Sequence, residues 1–194
     1  MKLTFASGNK NKFLEIEKII PNKFQLGNLS DLNFFDEIPE NEDSIERNAA
    51  YKANFIHSKF NVNVFADDTG LEVQALNGRP GVHSARFAGI ECDAEKNMDK
   101  LLFELKNAEN RTARFKTIIA LVINKKFYQF EGIINGEILK SKKGNNGFGY
   151  DPIFKPDGYI ESFAELPIET KNKISHRAIA LLKLIDFLSK INKS

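Results

Sequence analysis

The sequence predicts an α/β protein with an elongated mixed β-sheet flanked by helices. Its 194 residues are 42% hydrophobic and 28% charged, which is typical of one globular domain with a substantial core. In the first half of the chain, β-prone runs alternate with apolar residues at helical spacing. Residues 111–138 are rich in β-branched and aromatic side chains and predict two long antiparallel strands. Such a hairpin makes the sheet mixed.

The individual elements follow from the same patterns. Strands are predicted at residues 3–6, 62–66 and 71–76, with two more inside residues 111–138 on either side of Asn124-Lys125-Lys126. Helices are predicted before Pro21 and over residues 44–60, 94–105 and 171–190. Turns are predicted at residues 7–9, 67–70 and 77–81, and a loop over residues 141–151. We therefore expect one domain over residues 1–194, with Ser44 as the N-cap of the second helix.

Composition excludes several classes of protein. The 28 basic and 26 acidic residues give a net charge of +2, too balanced for a protein that coats a phosphate backbone, so we expect no nucleic-acid partner. A single cysteine, Cys92, excludes an internal disulfide framework and fits a reducing compartment. The longest purely apolar run, residues 118–123, is far shorter than a membrane helix, and the first residues turn polar too early for a secretory signal. We expect a cytoplasmic protein without a membrane partner.

The first turn is a candidate anion site. It lies where a predicted strand gives way to a helix, a position at which free backbone N–H groups and the helix dipole attract negative charge. Its residues are Ser7, Gly8, Asn9, Lys10, Asn11 and Lys12. An ordinary turn with solvated lysines is the alternative, and the Walker A pattern is absent.

The acidic segment after the third strand is a candidate metal and catalytic site. Carboxylates at the carboxyl end of a strand lie where open α/β sheets bind ligands, and hard oxygen ligands suit Mg²⁺. For Asp67 we favour a structural interpretation, in which the side chain caps backbone amides in the turn, whereas Asp68 is the functional candidate. The Asp-Thr-Gly triplet also occurs in aspartic proteases, but the predicted helix content argues against that class.

Two further groups of residues indicate a site for a base. The loop Gly144-Asn145-Asn146-Gly147-Phe148-Gly149-Tyr150-Asp151-Pro152 carries two aromatic rings and a carboxylate, which could stack on a base and accept from its ring N–H groups. Packing of Phe148 into the core is the alternative. Lys171, His176 and Arg177 cluster near the start of the last predicted helix, where cations are electrostatically disfavoured unless an acceptor-rich ligand is bound.

Taken together, these motifs resemble the inosine triphosphate pyrophosphatase family over essentially the whole chain. The matching residues are Ser7-Gly8-Asn9 with Lys12 and Glu15, Glu40, Asn48-Ala49, Lys52-Ala53, Ala66-Asp67-Asp68-Thr69-Gly70-Leu71, Gly78, Pro80-Gly81, Ser84-Ala85-Arg86, Gly147-Phe148-Gly149-Tyr150-Asp151-Pro152, Lys171 and Ile174-Ser175-His176-Arg177. Each motif is short, but their number and order make the resemblance specific.

The resemblance implies a Mg²⁺-dependent hydrolase that cleaves ITP, dITP and XTP to the nucleoside monophosphate and pyrophosphate. It also implies two lobes around a central nucleotide-binding cleft and a homodimer. By position, the residues of the first turn and Lys52 would hold the triphosphate, Asp68 and Glu40 would bind the metal, and Asp68 would activate water. The remaining substrate contacts would come from Thr69, Arg86, Phe148, Gly149, Tyr150, Asp151, Lys171, His176 and Arg177.

Two other functions remain as alternatives. A regulatory module could bind a nucleotide without hydrolysing it, although carboxylates facing a triphosphate gain nothing without a metal. A nucleic-acid-binding protein could use the aromatic loop as a stacking platform, although the charge balance argues against it.

Overall fold

The computed structural model describes residues 1–191, which form one seven-stranded mixed β-sheet and five α-helices. The strands are β1 Lys2–Phe5, β2 Gln25–Gly27, β3 Val64–Val73, β4 Pro80–Gly81, β5 Thr112–Ile123, β6 Lys126–Ile138 and β7 Phe154–Pro156. The helices are α1 Lys10–Ile19, α2 Ile45–Phe60, α3 Ala94–Glu104, α4 Ile168–Ile174 and α5 His176–Ile191. The predicted α/β class with a mixed sheet is therefore confirmed.

The strand order is β2-β1-β3-β5-β6-β7, with β4 paired to β3. β1 runs parallel to β2 and β3, whereas β4 and β7 are antiparallel to their partners. β5 and β6 are joined through Asn124 and Lys125, both at positive φ, which is the conformation of a tight two-residue hairpin turn. No helix within residues 1–191 combines the length and apolar content that crossing a membrane requires.

The chain divides into two compact units, each with its own core. The first unit comprises Met1–Asp68, Thr117–Gly132 and residues 177–191. Its buried apolar cluster comes from β1, α1, β3, β5 and α5 and includes Phe5, Ile16, Phe65, Leu121 and Leu184. The apolar face of α5 thus packs as its 3–4 spacing predicts.

The second unit comprises Thr69–Lys116 and Ile133–His176. Its core combines Leu71, Met98, Leu101, Phe115 and Phe154, with other buried residues of the same elements. Helix α3 begins after Asp93, whose side chain accepts a hydrogen bond from the backbone of Lys96 and so caps the helix.

The prediction of a turn at residues 67–70 is wrong. β3 continues through the acidic residues to Val73, and the predicted separate strand at residues 71–76 is its end, followed by a short 3₁₀ helix, Gln74–Leu76. The physical reason is that Asp67 and Asp68 both pair with cations from helices, so neither carboxylate needs the backbone amides of a turn.

The last predicted helix, over residues 171–190, is interrupted at Ser175. α4 ends at Ser175, whose backbone is extended at φ −65° and ψ 153°, and α5 begins at the next residue. Serine favours helix boundaries because its hydroxyl competes for nearby backbone groups. The helices at residues 44–60 and 94–105, with Ser44 as N-cap, are confirmed within a residue or two.

Candidate active site

Asp67 and Asp68 are neighbours on β3, and their side chains point to opposite faces because side chains alternate along a strand. Asp67 contacts residues of α1 and α5, whereas Asp68 contacts α2. Both carboxylates are buried, with 0% and 6% of their surface exposed. One strand therefore presents two separate carboxylate environments within the first unit.

Asp67 accepts hydrogen bonds from two cations. Nζ of Lys12 lies 3.1 Å from Oδ1, and Nε of Arg177 lies 3.0 Å from Oδ2. The same guanidinium donates through Nη1 to the carboxylate of Glu15. Burial alone would raise the pKa of Asp67, but Lys12 and Arg177 reverse this and hold that pKa well below its usual range. Asp67 is thus an ionised anchor for two helices.

Asp68 shares an ammonium group with Glu40. Nζ of Lys52 lies 3.1 Å from Oδ1 of Asp68 and 2.5 Å from Oε1 of Glu40. Burial raises the pKa of Asp68 and outweighs the opposite effect of Lys52. For Lys52, burial is opposed by Asp68 and Glu40, which together raise its pKa. A carboxylate with a raised pKa beside a fixed cation is suited to accept a proton.

Side-chain hydrogen bonds hold the turn before α1. Asn9 caps the helix by accepting from the backbone N–H of Lys12, and Ser7 Oγ accepts from the N–H of Asn9. Lys10 and Asn11 are exposed. A Cβ added to Gly8 would meet no atom within 4 Å, so the backbone at this glycine is open to close approach. Burial lowers the pKa of Lys12, although Asp67 opposes the effect.

The oxygen atoms of Glu40 and Asp68 fit a magnesium ion. Mg²⁺ usually takes one or two protein carboxylates and completes its octahedron with water and substrate phosphate. Within residues 1–191 there is no group of three or more histidine, cysteine or acidic side chains that could hold a metal. Two carboxylates that already converge on one ammonium group match the partial type of site. Glu40 is about one-third exposed, which leaves it accessible to water.

In the second unit, Asp151 organises the glycine-rich loop. Its Oδ2 accepts from Nζ of Lys171 at 2.6 Å and from the backbone N–H of Phe148 at 2.8 Å. Asp151 and Lys171 are both only 3% exposed. Nζ of Lys171 also lies 5.0 Å from the centre of the Phe148 ring, within cation–π range. The predicted loop residues and Lys171 thus form one cluster.

Gly147 and Gly149 give this loop its conformation. Both have positive φ, 78° and 65°. A Cβ on Gly147 would overlap the carboxylate of Asp151, whereas one on Gly149 would meet nothing within 4 Å. Only the first glycine is therefore required by its neighbours as well as by its backbone.

The two aromatic residues of the loop differ. Tyr150 is buried in the core of the second unit and donates from its hydroxyl to the carbonyl of Ser84 at 2.8 Å. Burial raises the pKa of Tyr150 far above its usual range. Phe148 is half-buried, and its ring faces Nζ of Lys171. Tyr150 thus belongs to the core of the second unit, whereas Phe148 is outside that buried cluster.

The remaining predicted residues lie in several places. His176 is buried and stacks on Phe115, with ring centres 4.6 Å apart. Thr69 is half-buried on β3, and Arg86 is exposed in the short 3₁₀ helix Ser84–Arg86. The guanidinium of Arg177 lies in the ion-pair cluster of the first unit, with Asp67 and Glu15.

Sequence reasoning did not identify Glu15 and Asp67 as partners of Arg177. Glu15 is four residues from Ile19, which places the two on one face of α1, and Glu15 is buried there, where an acidic residue needs a cation. That burial was a usable signal. The sequence did not identify Arg177 as that cation, because Arg177 is 162 residues away along the chain.

Comparisons with known proteins show the family to which the chain belongs. The sequence model of the Ham1 family matches residues 3–187, and the chain therefore belongs to the Ham1 family. It is 53% identical over 189 residues to a dITP/XTP pyrophosphatase of Flavobacterium johnsoniae, covering 97% of this chain and 98% of that protein. It is 47% identical over 188 residues to a dITP/XTP pyrophosphatase of Porphyromonas gingivalis, covering 96% and 97%.

Solved structures give the same result. The Ham1 protein of Staphylococcus aureus superposes with a TM-score of 0.90 at 38% identity, covering 98% of this chain and all of that one. A nucleoside-triphosphatase / dITP/XTP pyrophosphatase from Mycobacterium abscessus gives a TM-score of 0.78 at 39% identity, covering 95% and 99%. The predicted family resemblance is confirmed.

Proposed function

We propose that the protein hydrolyses deaminated purine nucleoside triphosphates, namely ITP, dITP and XTP, to the nucleoside monophosphate and pyrophosphate, with Mg²⁺ as cofactor. The observation that carries the proposal is the Lys52 cluster, in which one buried ammonium group binds the carboxylates of Asp68 and Glu40. Near-full-length relatives named dITP/XTP pyrophosphatase support the substrate class.

The turn before α1 would bind phosphate. Its backbone N–H groups lie at the positive end of the helix dipole, Gly8 leaves room for close approach, and Lys12 supplies charge. Lys52 would add a second cation. Because water is the nucleophile and pyrophosphate the leaving group, positioning and charge neutralisation account for most of the rate.

Asp68 would orient the attacking water and take its proton. The oxygen of that water bonds to the α-phosphorus, and the bond from this phosphorus to the α–β bridging oxygen breaks, so that pyrophosphate leaves with the bridging oxygen. Burial favours the protonated form of Asp68 and so makes the carboxylate a better proton acceptor than a solvated one. Asp68 and Glu40 would hold Mg²⁺, which when bound neutralises phosphate charge and lowers the pKa of water.

We assign the base to residues of the second unit. Inosine and xanthine carry an acceptor oxygen at C6, where adenine carries an amino donor. Lys171, together with His176 and the backbone amides of the Phe148–Asp151 loop, would meet that oxygen with donors, and Phe148 would stack on the ring. Burying donor against donor costs roughly 1–3 kcal/mol per unmet group, so ATP should be a poor substrate. Thr69 and Arg86 are assigned to further substrate contacts.

Two properties complete the proposal. The protein would act as a homodimer, which light scattering of the purified chain can test. It would act in the cytoplasm on free nucleotides, without a nucleic-acid or membrane partner; salt-dependent binding of oligonucleotides would contradict this.

A product analysis tests the proposal directly. Purified protein is incubated with Mg²⁺ and, separately, ITP, XTP, GTP and ATP, and the nucleotides, phosphate and pyrophosphate are resolved. We expect monophosphate plus pyrophosphate from ITP and XTP and little product from GTP or ATP. Saturable ITP binding without cleavage would instead support a nucleotide-binding regulatory module.

A further inference from the structure

Asn97 on α3 hydrogen-bonds to both ends of the backbone segment of residues 85–88 in the second unit. It is 3% exposed, and both ends of its amide are used. Nδ2 donates to the carbonyl of Ala85 at 2.8 Å, and Oδ1 accepts from the N–H of Ala88 at 2.6 Å. Because one partner can only accept and the other can only donate, the chemistry itself fixes the orientation of the amide. The two contacts lie on either side of Arg86 in the sequence.

A second side chain of α3 holds the same segment. Lys100, three residues and about one turn from Asn97, donates to the carbonyl of Phe87 at 2.5 Å and lies 4.5 Å from the centre of its ring. Side chains of α3 thus bind three main-chain groups of this segment, those of Ala85, Phe87 and Ala88. Arg86 itself is exposed.

Ser84, the residue directly before this segment, is also fixed by hydrogen bonds. Its Oγ donates to the carbonyl of Gly81 at 2.6 Å and accepts from the N–H of Leu71 on β3 at 2.8 Å. Its carbonyl accepts from the hydroxyl of Tyr150. Arg86 is therefore an exposed side chain on a main chain that is fixed on both sides.

We infer that Asn97 is a positioning residue that holds Arg86 in place for the substrate. The inference rests on the proposed function, which assigns Arg86 to substrate contact. A free guanidinium on a mobile loop would lose conformational entropy on binding, and fixing its backbone in advance removes part of that cost. Preorganisation requires that the supporting residue is itself locked, and Asn97 is buried and hydrogen-bonded at both ends of its amide. Asn97 acts on catalysis only through Arg86.

The test uses Asn97→Asp in the full-length protein. The aspartate keeps an acceptor for Ala88 but places a carboxylate oxygen against the carbonyl of Ala85, so the segment shifts while the helix remains. We expect KM for ITP to rise about tenfold or more with a smaller change in kcat, since displacing a substrate-binding group is costly. Lys100→Met, at an exposed position, should raise KM in the same direction by about two- to threefold and does not threaten the fold. Glu104→Gln, also on α3 but paired with Arg79, is the control and should leave KM unchanged.

A double-mutant cycle with Arg86→Ala decides whether Asn97 acts through Arg86. If it does, Asn97→Asp adds little to the KM of Arg86→Ala. Equal effects of Asn97→Asp in the two backgrounds would overturn the inference, as would an unchanged KM in both Asn97→Asp and Lys100→Met. If Arg86→Ala leaves KM unchanged while the wild-type protein still forms pyrophosphate from ITP, the inference fails and the proposed function stands. No pyrophosphate from the wild-type protein would refute the proposed function itself.

Discussion

The candidate residues of the first unit and those of the second are built by different physical means. In the first unit, Asp67, Asp68, Lys12, Lys52 and Arg177 lie on β3, α1, α2 and α5 and are held by buried ion pairs. In the second unit, the main chain of a glycine-rich loop is shaped by positive φ angles and one buried ion pair. Charges on regular elements give a fixed electrostatic environment, whereas a loop gives a surface that fits one ligand shape.

The difference also determines how each region contributes to the free energy of folding. Buried charges are stable only when they are paired, and removing one partner leaves the other uncompensated. A glycine loop costs backbone entropy instead, and each constrained glycine contributes only about 1 kcal/mol. We therefore expect substitutions in the ion-pair clusters of the first unit to change turnover and stability strongly, and glycine substitutions in the loop of the second unit to have smaller effects on stability.

Asp68→Asn should have the largest effect. The amide keeps the shape of the side chain but cannot take a proton, so kcat for ITP should fall by about 10²- to 10⁴-fold. Steady-state kinetics with Mg²⁺, together with a thermal unfolding curve, measure the loss. Asp186→Asn, which removes an exposed carboxylate paired with Lys190, is the control and should leave kcat unchanged. Turnover within tenfold of wild type would contradict the assignment of Asp68.

Asp67→Asn should reduce stability more than activity. The substitution leaves Lys12 and Arg177 buried with one charge too few, which typically costs about 3–5 kcal/mol. Urea unfolding at pH 7 measures this loss. Asp43→Asn breaks an exposed pair with Arg47 and should cost less than about 1 kcal/mol. Similar losses for the two variants would contradict the distinction between buried and exposed pairs.

The low pKa of Asp67 predicts that the stability lost in Asp67→Asn depends on pH. Because the folded protein holds the pKa of Asp67 well below its usual range, this carboxylate stabilises the fold above its unfolded pKa of about 3.9. That contribution is lost as the pH falls towards the folded pKa. The gap in unfolding free energy between wild type and Asp67→Asn should therefore narrow between pH 4 and pH 2.5, and a constant gap would contradict the low pKa.

The parts that the sequence predicted correctly are those with local causes. Apolar spacing and cap residues located α2 and α3, and the turn residues located the β5–β6 hairpin. The acidic segment was placed in a turn because Asp67 and Asp68 are poor strand formers in isolation. Their partners Lys12, Lys52 and Arg177 are 55, 16 and 110 residues away, and only the folded chain brings them together.

The same distinction between local causes and contacts distant in sequence applies to the candidate site residues. Pattern and resemblance identified Asp68, Glu40 and Lys52, and the fold brings these three together. Asn97 was not identified because its role consists of two contacts to main-chain atoms nine and twelve residues away, which no side-chain pattern records. Its position four residues before the buried Leu101 on α3 was the available signal.

Gly147→Ala and Gly149→Ala separate backbone strain from contact in the loop. Both place a Cβ at positive φ, which costs about 1–2 kcal/mol, but only at position 147 would the added carbon overlap Asp151. Gly147→Ala should therefore destabilise the protein more in urea and also raise KM for ITP, because Asp151 is displaced from Lys171 and Phe148. Equal losses would show that Asp151 can move at no cost and that the loop is less constrained than its hydrogen bonds indicate.

Lys142→Met should give the smallest effect. Nζ of Lys142, just before the glycine-rich loop, lies 2.7 Å from Glu95 and 2.5 Å from Asp99 on α3, and hydrogen bonds to Asp99 and Glu95 raise its pKa. Because both carboxylates are more than half exposed, solvent and salt weaken the attraction. The loss of unfolding free energy measured in urea should therefore stay below about 1 kcal/mol and shrink further in 0.5 M NaCl.

The raised pKa of Lys142 adds a pH dependence. The ion pairs of Lys142 stabilise the fold below the unfolded pKa of lysine, about 10.4, and this contribution disappears as the pH rises through the folded pKa. The variant should thus match wild type at high salt and at high pH, whereas the Asp67→Asn defect should persist in salt because its charges are shielded from solvent. A loss in Lys142→Met that equals that of Asp67→Asn, or that salt does not reduce, would mean that the loop of the second unit depends on charge as strongly as the first unit does.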